Sequence, residues 1–406
     1  MFNHQLADRL SVLHESQTIA MSKLSRELSA KGIDMINLTL GEPDFDTPVH
    51  IREAAKKAID EGFTHYTPIA GYRELRMAIS QKFKRENNLD FDVDQIVVST
   101  GAKQALANAV LSLVNPGDEV IIPIPYWVSY IEMVKLAEGK PVTPVTTIAN
   151  DYKLTPAMLE AAITDKTKLF MYSSPGNPTG SVYTHDELAA LAKVFEKHPK
   201  VYILSDEIYE HINFLDKHVS LAHFPAIRER VIVVNGVSKS YAMTGWRIGY
   251  IGAPKWIAAA CDKVQGQITS GTSSISQKAA EAALSTDNRP TMEMKAAFGK
   301  RRDLVLKLLK EVPGLKVNEP KGAFFVFPDA SFYFGKSAPP PPEGGSKTVI
   351  KNSTDLCMYL MNHGHVSVVT GEAFGSPECF RISYSTSEEK LKEGIARIKK
   401  SLGELE

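Results

Sequence analysis

Six short runs rich in aliphatic and β-branched residues recur through the first two-thirds of the chain, at 95–100, 119–125, 167–173, 201–206, 230–236 and 248–253. Most are nearly continuous rather than alternating. A strand with one face in water alternates apolar and polar residues, whereas a strand covered on both faces has no need to. Between the runs lie helical patterns at 102–114, 185–197, 255–265 and 274–284. This order predicts an α/β domain in which a mainly parallel, mixed sheet lies between layers of helices.

At 406 residues the chain exceeds what one core normally serves. A long helical pattern at 292–311 leads out of the first domain. Shorter strand patterns at 314–318, 322–328, 366–371 and 379–385 follow, with helices at 354–362 and 388–402. The expected organisation is a large domain at 48–290, a smaller α+β domain at 291–406, and an N-terminal arm, 1–47, that contributes to the smaller one. The turn-rich stretch GEPDFDTP (41–48) is expected to cross between them, and the Pro/Gly-rich SAPPPPEGGSK (337–347) to form a surface loop.

Composition narrows the partners. Lys plus Arg and Asp plus Glu each total 47, so the net charge is zero, which favours neither nucleic acid nor an anionic membrane. Basic clusters such as Lys300-Arg301-Arg302 are expected on a solvated helix face. The three cysteines, Cys261, Cys357 and Cys379, are widely spaced and show no CxxC pattern, so neither a disulfide framework nor a metal site is expected, and a reducing cytoplasm fits. The first residues show no signal-peptide pattern, and no apolar run approaches the ~20 residues of a membrane span.

Open α/β sheets bind ligands at the carboxyl ends of their strands. After 95–100 comes Gly101-Ala102-Lys103, opening a helix whose free N–H groups and dipole favour an anion. Alone, Gly101 signals only a tight turn, and neither a Walker loop nor a G-x-G-x-x-G fingerprint is present. After 119–125 come Tyr126 and Trp127, which serve either as core or as a plate for a flat ring. After 167–173 comes SPGNPTG, in which Asn177 is a turn former or an amide aimed at a ligand. Asp206 and Tyr209 close the next run. A carboxylate there is costly unless paired, by a structural ion pair or by a cationic nitrogen. Ser238 and Lys239 follow 230–236, with Arg247 a little further on. Two neighbouring cations are unfavourable without an anion between them.

Each feature is weak singly, but one ligand uses all of them. Pyridoxal 5'-phosphate is a flat, phosphorylated pyridine aldehyde that condenses with a lysine amine and needs a carboxylate at its ring nitrogen. The segments GEPDFDTP, STGAKQAL, PYWVSY, SPGNPTG, SDEIYEHI, VSKSYAMTGWRIGY and FRISYSTS form an ordered set over essentially the whole chain. In them the sequence resembles the class I aminotransferases of PLP fold type I. It is most similar to the bacterial-type aspartate aminotransferases, a branch that includes prephenate aminotransferases.

The resemblance implies roles. Lys239 carries the cofactor, Asp206 pairs with its ring nitrogen, and Asn177 and Tyr209 contact its ring hydroxyl. Trp127 stacks on the ring. Ser238, Arg247 and the backbone of Gly101, Ala102 and Lys103 hold the phosphate. Tyr66 reaches the phosphate of a neighbouring subunit, which makes the enzyme a homodimer. Arg381 clamps the substrate α-carboxylate with help from the Gly41 backbone, while Lys103 and Thr18 read the distal carboxylate. The implied reaction is ping-pong exchange between L-aspartate and 2-oxoglutarate, with prephenate as the alternative acceptor. A C–S lyase or decarboxylase would use the same cofactor linkage. A nicotinamide-dependent dehydrogenase lacks its glycine fingerprint here, and a regulator's effector domain lacks a DNA-binding segment.

Overall fold

The computed structural model describes residues 7–15, 17–215, 217–286, 288–339 and 348–406. Seven strands form one sheet in the order Ile96–Thr100, Ile248–Gly252, Val231–Gly236, Tyr202–Asp206, Thr167–Ser173, Glu119–Ile121, Lys140–Val142. The last five run parallel to one another. Ile248–Gly252 is inserted antiparallel to both its neighbours. The sheet is therefore mixed and mostly parallel, and helices cover it.

The unbroken apolar runs follow from this layering. Along Val231–Gly236, Val231 and Val233 enter one apolar layer while Ile232 and Val234 enter the opposite one. Ile203 and Leu204 divide in the same way, as do Val97 and its neighbours Ile96 and Val98. Each side chain fully removed from water contributes ~1.5–3 kcal/mol, so both faces demand apolar residues. Lys140–Val142 breaks the pattern because it is a three-residue edge strand with a central Pro141, a position that tolerates a missing N–H.

A second core gathers Met21, Ile36 and Leu38 with residues from Met294 to Leu405. Ile36–Asn37 pairs in parallel with Val366–Ser367, and Phe380–Ser383 lies between Val369–Thr370 and Phe325–Val326. The strand expected at 314–318 is absent; one bridge, Lys316 to Asp329, stands in its place. The helix Arg289–Leu309 joins the two parts.

The basic cluster on that helix is not simply solvated, contrary to expectation. Arg301 pairs with Asp44 at 2.6 Å and lies over the rings of Phe45 and Phe298, and Arg302 lies over Phe214. Both guanidinium groups lie over aromatic faces, where the ring electrons favour a cation, and both side chains are largely covered. Residues 41–48 touch both parts. Ser385 Oγ donates to the Glu42 carbonyl at 2.6 Å, and Thr47 Oγ1 donates to the Ala242 carbonyl at 2.7 Å. All three cysteines are buried and unbridged. Among the described residues, no helix is long and apolar enough to cross a membrane. Most of the 337–347 segment lies outside the described residues.

Candidate active site

One cavity of about 330 Å³ opens at the carboxyl ends of the central strands. The parallel ladder fixes its floor. Ser173 ends one strand in register with Asp206 on the next, and Asp206 is in register with Val234. The turn after Asp206 carries Tyr209 back to the cavity, and the turn after Gly236 delivers Ser238 and Lys239. Trp127 and Asn177 line the wall, Gly41 enters from the crossing segment, and Arg381 enters from Phe380–Ser383.

The helix Ala102–Leu113 points its first turn at the same space, where Ala102 and Lys103 line the cavity. Its leading N–H groups lack intrahelical acceptors. Gly101, at φ 84°, makes this approach possible, since a Cβ there would lie 2.4 Å from Arg247 Nη2. Gly249 serves the same end: a Cβ on it would meet the Ala102 amide nitrogen at 2.1 Å.

Sequence reasoning missed Tyr130, whose hydroxyl donates to Asp206 Oδ2 at 2.7 Å. It is 1% exposed, behind Trp127, and its ring meets that indole edge-on at 5.4 Å. No local pattern marks it, because its partner lies 76 positions away. Ile19 and Thr244 also line the cavity and were not singled out. Two expected residues stand apart. Tyr66 is fully exposed, at 101%. Thr18 lies in the first turn of the helix Gln17–Ala30, but its side chain is outside the described residues.

Electrostatics set the character of the cavity. Burial lifts the Asp206 carboxyl to about 6, opposed by the Tyr130 hydroxyl and the Ile208 N–H. Burial lowers the Lys239 amine to about 8, although Glu42 pulls the other way. Lys239 Nζ donates to the Gly41 carbonyl. Burial also depresses Lys103, with Arg247 adding to the effect, and holds the Tyr209 phenol protonated. Arg381 is 2% exposed; it donates to Asn177 Oδ1 at 2.9 Å and to the Thr39 carbonyl at 2.7 Å.

The charged groups lining the cavity are Lys103, Lys239, Arg247 and Arg381 against Asp206 alone, four cations to one carboxylate. Among the described residues none of the four cations has an ion-pair partner within 4.0 Å, and Arg381 Nε is buried without a hydrogen bond. Buried guanidinium groups are retained where an anion completes them. The donors fit a phosphorylated pyridine aldehyde: a nucleophilic amine, an aromatic plate, a carboxylate at a strand end, and a helix N-terminus beside an arginine.

Fold and cavity together define an aminotransferase. The sequence matches the family described as "Aminotransferase class I and II" over residues 33–398, and the chain belongs to that family. Its cofactor is pyridoxal 5'-phosphate. Among its relatives, the bifunctional aspartate aminotransferase and glutamate/aspartate-prephenate aminotransferase of Petunia hybrida is 47% identical over 98% of this chain and 82% of its own length. The aspartate/prephenate aminotransferase of Cereibacter sphaeroides is 48% identical over 97% of each. The crystal structure of the aspartate aminotransferase from Rhizobium meliloti superposes with a TM-score of 0.94 at 43% identity, over 99% of both chains. The Thermus thermophilus aspartate aminotransferase with maleate gives 0.90 at 38% identity, over 98% and 99%.

Proposed function

We propose that this protein exchanges the amino group of L-aspartate with 2-oxoglutarate, giving oxaloacetate and L-glutamate, as a cytoplasmic homodimer. The observation that carries this reading is the cationic surplus of the cavity. A phosphate accounts for part of it, and a dicarboxylic substrate for the rest. Maleate, found with the Thermus thermophilus relative, is itself a dicarboxylate. Relatives named for prephenate favour that acceptor as the second reading, and prephenate too carries two carboxylates.

Bound pyridoxal 5'-phosphate supplies the aldehyde that takes up the amino group and the ring that accepts the electron pair left at the α-carbon. The chain supplies the rest. Ser238, Arg247 and the amides from Gly101 to Lys103 hold the phosphate. Trp127 covers the ring. Asp206, fixed by Tyr130, would keep the ring nitrogen protonated, and Asn177 and Tyr209 would engage the ring hydroxyl. Arg381 grips the α-carboxylate through its planar fork, with Gly41 beside it. Lys103 would meet the distal carboxylate; the side chain of Thr18, the other residue expected there, lies outside the described residues. The Lys239 amine, when free, would take the substrate α-proton and later give it back, as base and then acid. An amine lowered to about 8 is far more often neutral near pH 7.5 than a free lysine at ~10.4.

Lys103 Nζ stands 5.0 Å from the centroid of the Trp127 ring, at the mouth of the helix. Lys103→Ala is expected to lower kcat/KM for aspartate ~30-fold or more while sparing alanine, since only the longer substrate presents a second charge. A panel of aspartate, glutamate and alanine against 2-oxoglutarate, oxaloacetate and prephenate measures this. Equal losses for alanine and aspartate would remove Lys103 from the specificity site, and no turnover of any dicarboxylate would sink the proposal.

The shared site rests on Tyr66, a fully exposed phenol, and on Arg247, itself exposed at the cavity. Tyr66→Phe is expected to weaken pyridoxal phosphate binding about 10-fold, the value of a hydrogen bond to a charged group. Unchanged affinity, or a monomer in sedimentation, counts against sharing. We also read residues 48–290 as the large domain, 291–406 as the small one and 1–47 as the arm, because the second core is built, among the described buried residues, from Met21, Ile36, Leu38 and residues from Met294 to Leu405, with only Ile208, Tyr209 and Ile212 entering it from between.

A further inference from the structure

The turn Asp206–His211 has two faces. Asp206 and Tyr209 face the cavity, while Glu207 and Glu210, each one residue further on, do not line it and bond instead to His218, Ser220 and Lys82. Glu210, 6% exposed, accepts from Lys82 Nζ and from Asn87 Nδ2. Lys82 is 0% exposed and belongs to the helix Arg73–Asn87. From the same helix Glu86 bonds His211 Nε2 at 2.9 Å, and His211 Nδ1 bonds Ser240 Oγ at 2.7 Å. Ser240 is fully buried and immediately follows Lys239.

A buried charge is retained only where its partners are complete, and the proposed mechanism uses none of these groups. Nor is a metal needed: the Lys82 ammonium already supplies the cation among Glu86, Glu210 and His211. The chain of contacts runs from one helix to the two turns that carry Tyr209 and Lys239. We propose that His211 is a positioning residue for Lys239, holding its turn through Ser240, and that the Lys82–Glu210 pair holds His211 in place. Lys239 alternates between attachment to the cofactor and a free amine, so its backbone must stay still while its side chain moves. The contact at Ser240 pins that backbone from behind and leaves the Lys239 side chain free in front. This inference rests on the assignment of Lys239 above.

The test uses protein stripped of cofactor and reads the rate at which a small acylating reagent labels residue 239, followed by mass spectrometry across pH. Groups bearing on that amine are Glu42, Arg247, Arg381 and Asp206. In the parent, labelling is expected to rise through about pH 8, as the amine loses its proton. In Ser240→Ala and His211→Phe a loosened turn admits water, and the midpoint is expected to move up by ~0.5 unit or more. Pyridoxal phosphate affinity is expected to fall about 3- to 10-fold. His211→Gln, which keeps a polar group toward Ser240, is expected to recover most of both. Parent-like midpoints and affinities in Ser240→Ala and His211→Phe overturn the positioning role. So does a Ser240→Ala protein that fails to fold, because a positioning contact leaves the core intact. Borohydride reduction of the loaded parent that fixes the cofactor at a residue other than 239 instead overturns the assignment of Lys239 itself.

Discussion

Lys239→Ala is expected to reduce transamination at least ~10⁴-fold while leaving the fold intact. General acid–base catalysis alone is worth ~10²–10⁴-fold, and this residue also forms the covalent attachment. The fold is expected to survive because, among the described residues, the Nζ hydrogen bond goes only to the Gly41 carbonyl. Deleting the ammonium also relieves repulsion from Arg247 and Arg381, both of which act against its charge. Two measurements check the result. Borohydride is expected to fix the cofactor to residue 239 in the parent and to leave the variant free of it. Turnover near the parent rate in the variant would show that the proton moves elsewhere.

Arg381→Ala is expected to lower kcat/KM for every amino-acid substrate by ~2–5 kcal/mol in transition-state binding, roughly 30- to 5,000-fold. The guanidinium sits 4.4 Å from the centre of the Phe325 ring and 5.2 Å from that of Phe374, with its Nε unpaired. Burial brings its pKa to about 10, so it remains charged at neutral pH. Truncation also empties space between the two rings and costs stability. Arg381→Lys separates the two effects, since it keeps charge and bulk but loses the bidentate fork. An alanine substrate that reacts equally well with parent and Arg381→Lys would exclude the bidentate fork, and one that reacts equally well with parent and Arg381→Ala would exclude a role at the α-carboxylate. The contrast with Lys103→Ala, where alanine is spared, distinguishes the two ends of the substrate.

The parallel core was legible because strands buried on both faces leave uninterrupted apolar runs, as Val231–Gly236 does. Lys140–Val142 left no such run, being short, proline-bearing and at the edge. The strands of the second core are two to four residues long. Such strands exist because partners come to them across the fold, so 314–318 was overread. The position of each cavity residue after a strand followed from topology, which is why Asp206, Lys239 and Asn177 could be found in advance. Tyr130 could not, nor could the pairing of Lys82 with Glu210, 128 positions away. Long-range polar contacts have no period in sequence. Arg301 was misjudged for the same reason: nothing nearby in the chain announces that Asp44 and Phe45 lie against its helix.

The reactive groups of the cavity sit where neighbouring parallel strands stop, so the backbone hydrogen-bond ladder acts as their ruler. Adjacent strands are held ~4.8 Å apart, and that spacing cannot drift while the sheet persists. Heating or denaturant should therefore degrade the constellation abruptly, together with the sheet, rather than by gradual slackening of loops. The same ruler leaves the terminal side chains free to be exchanged without re-measuring the distances between them.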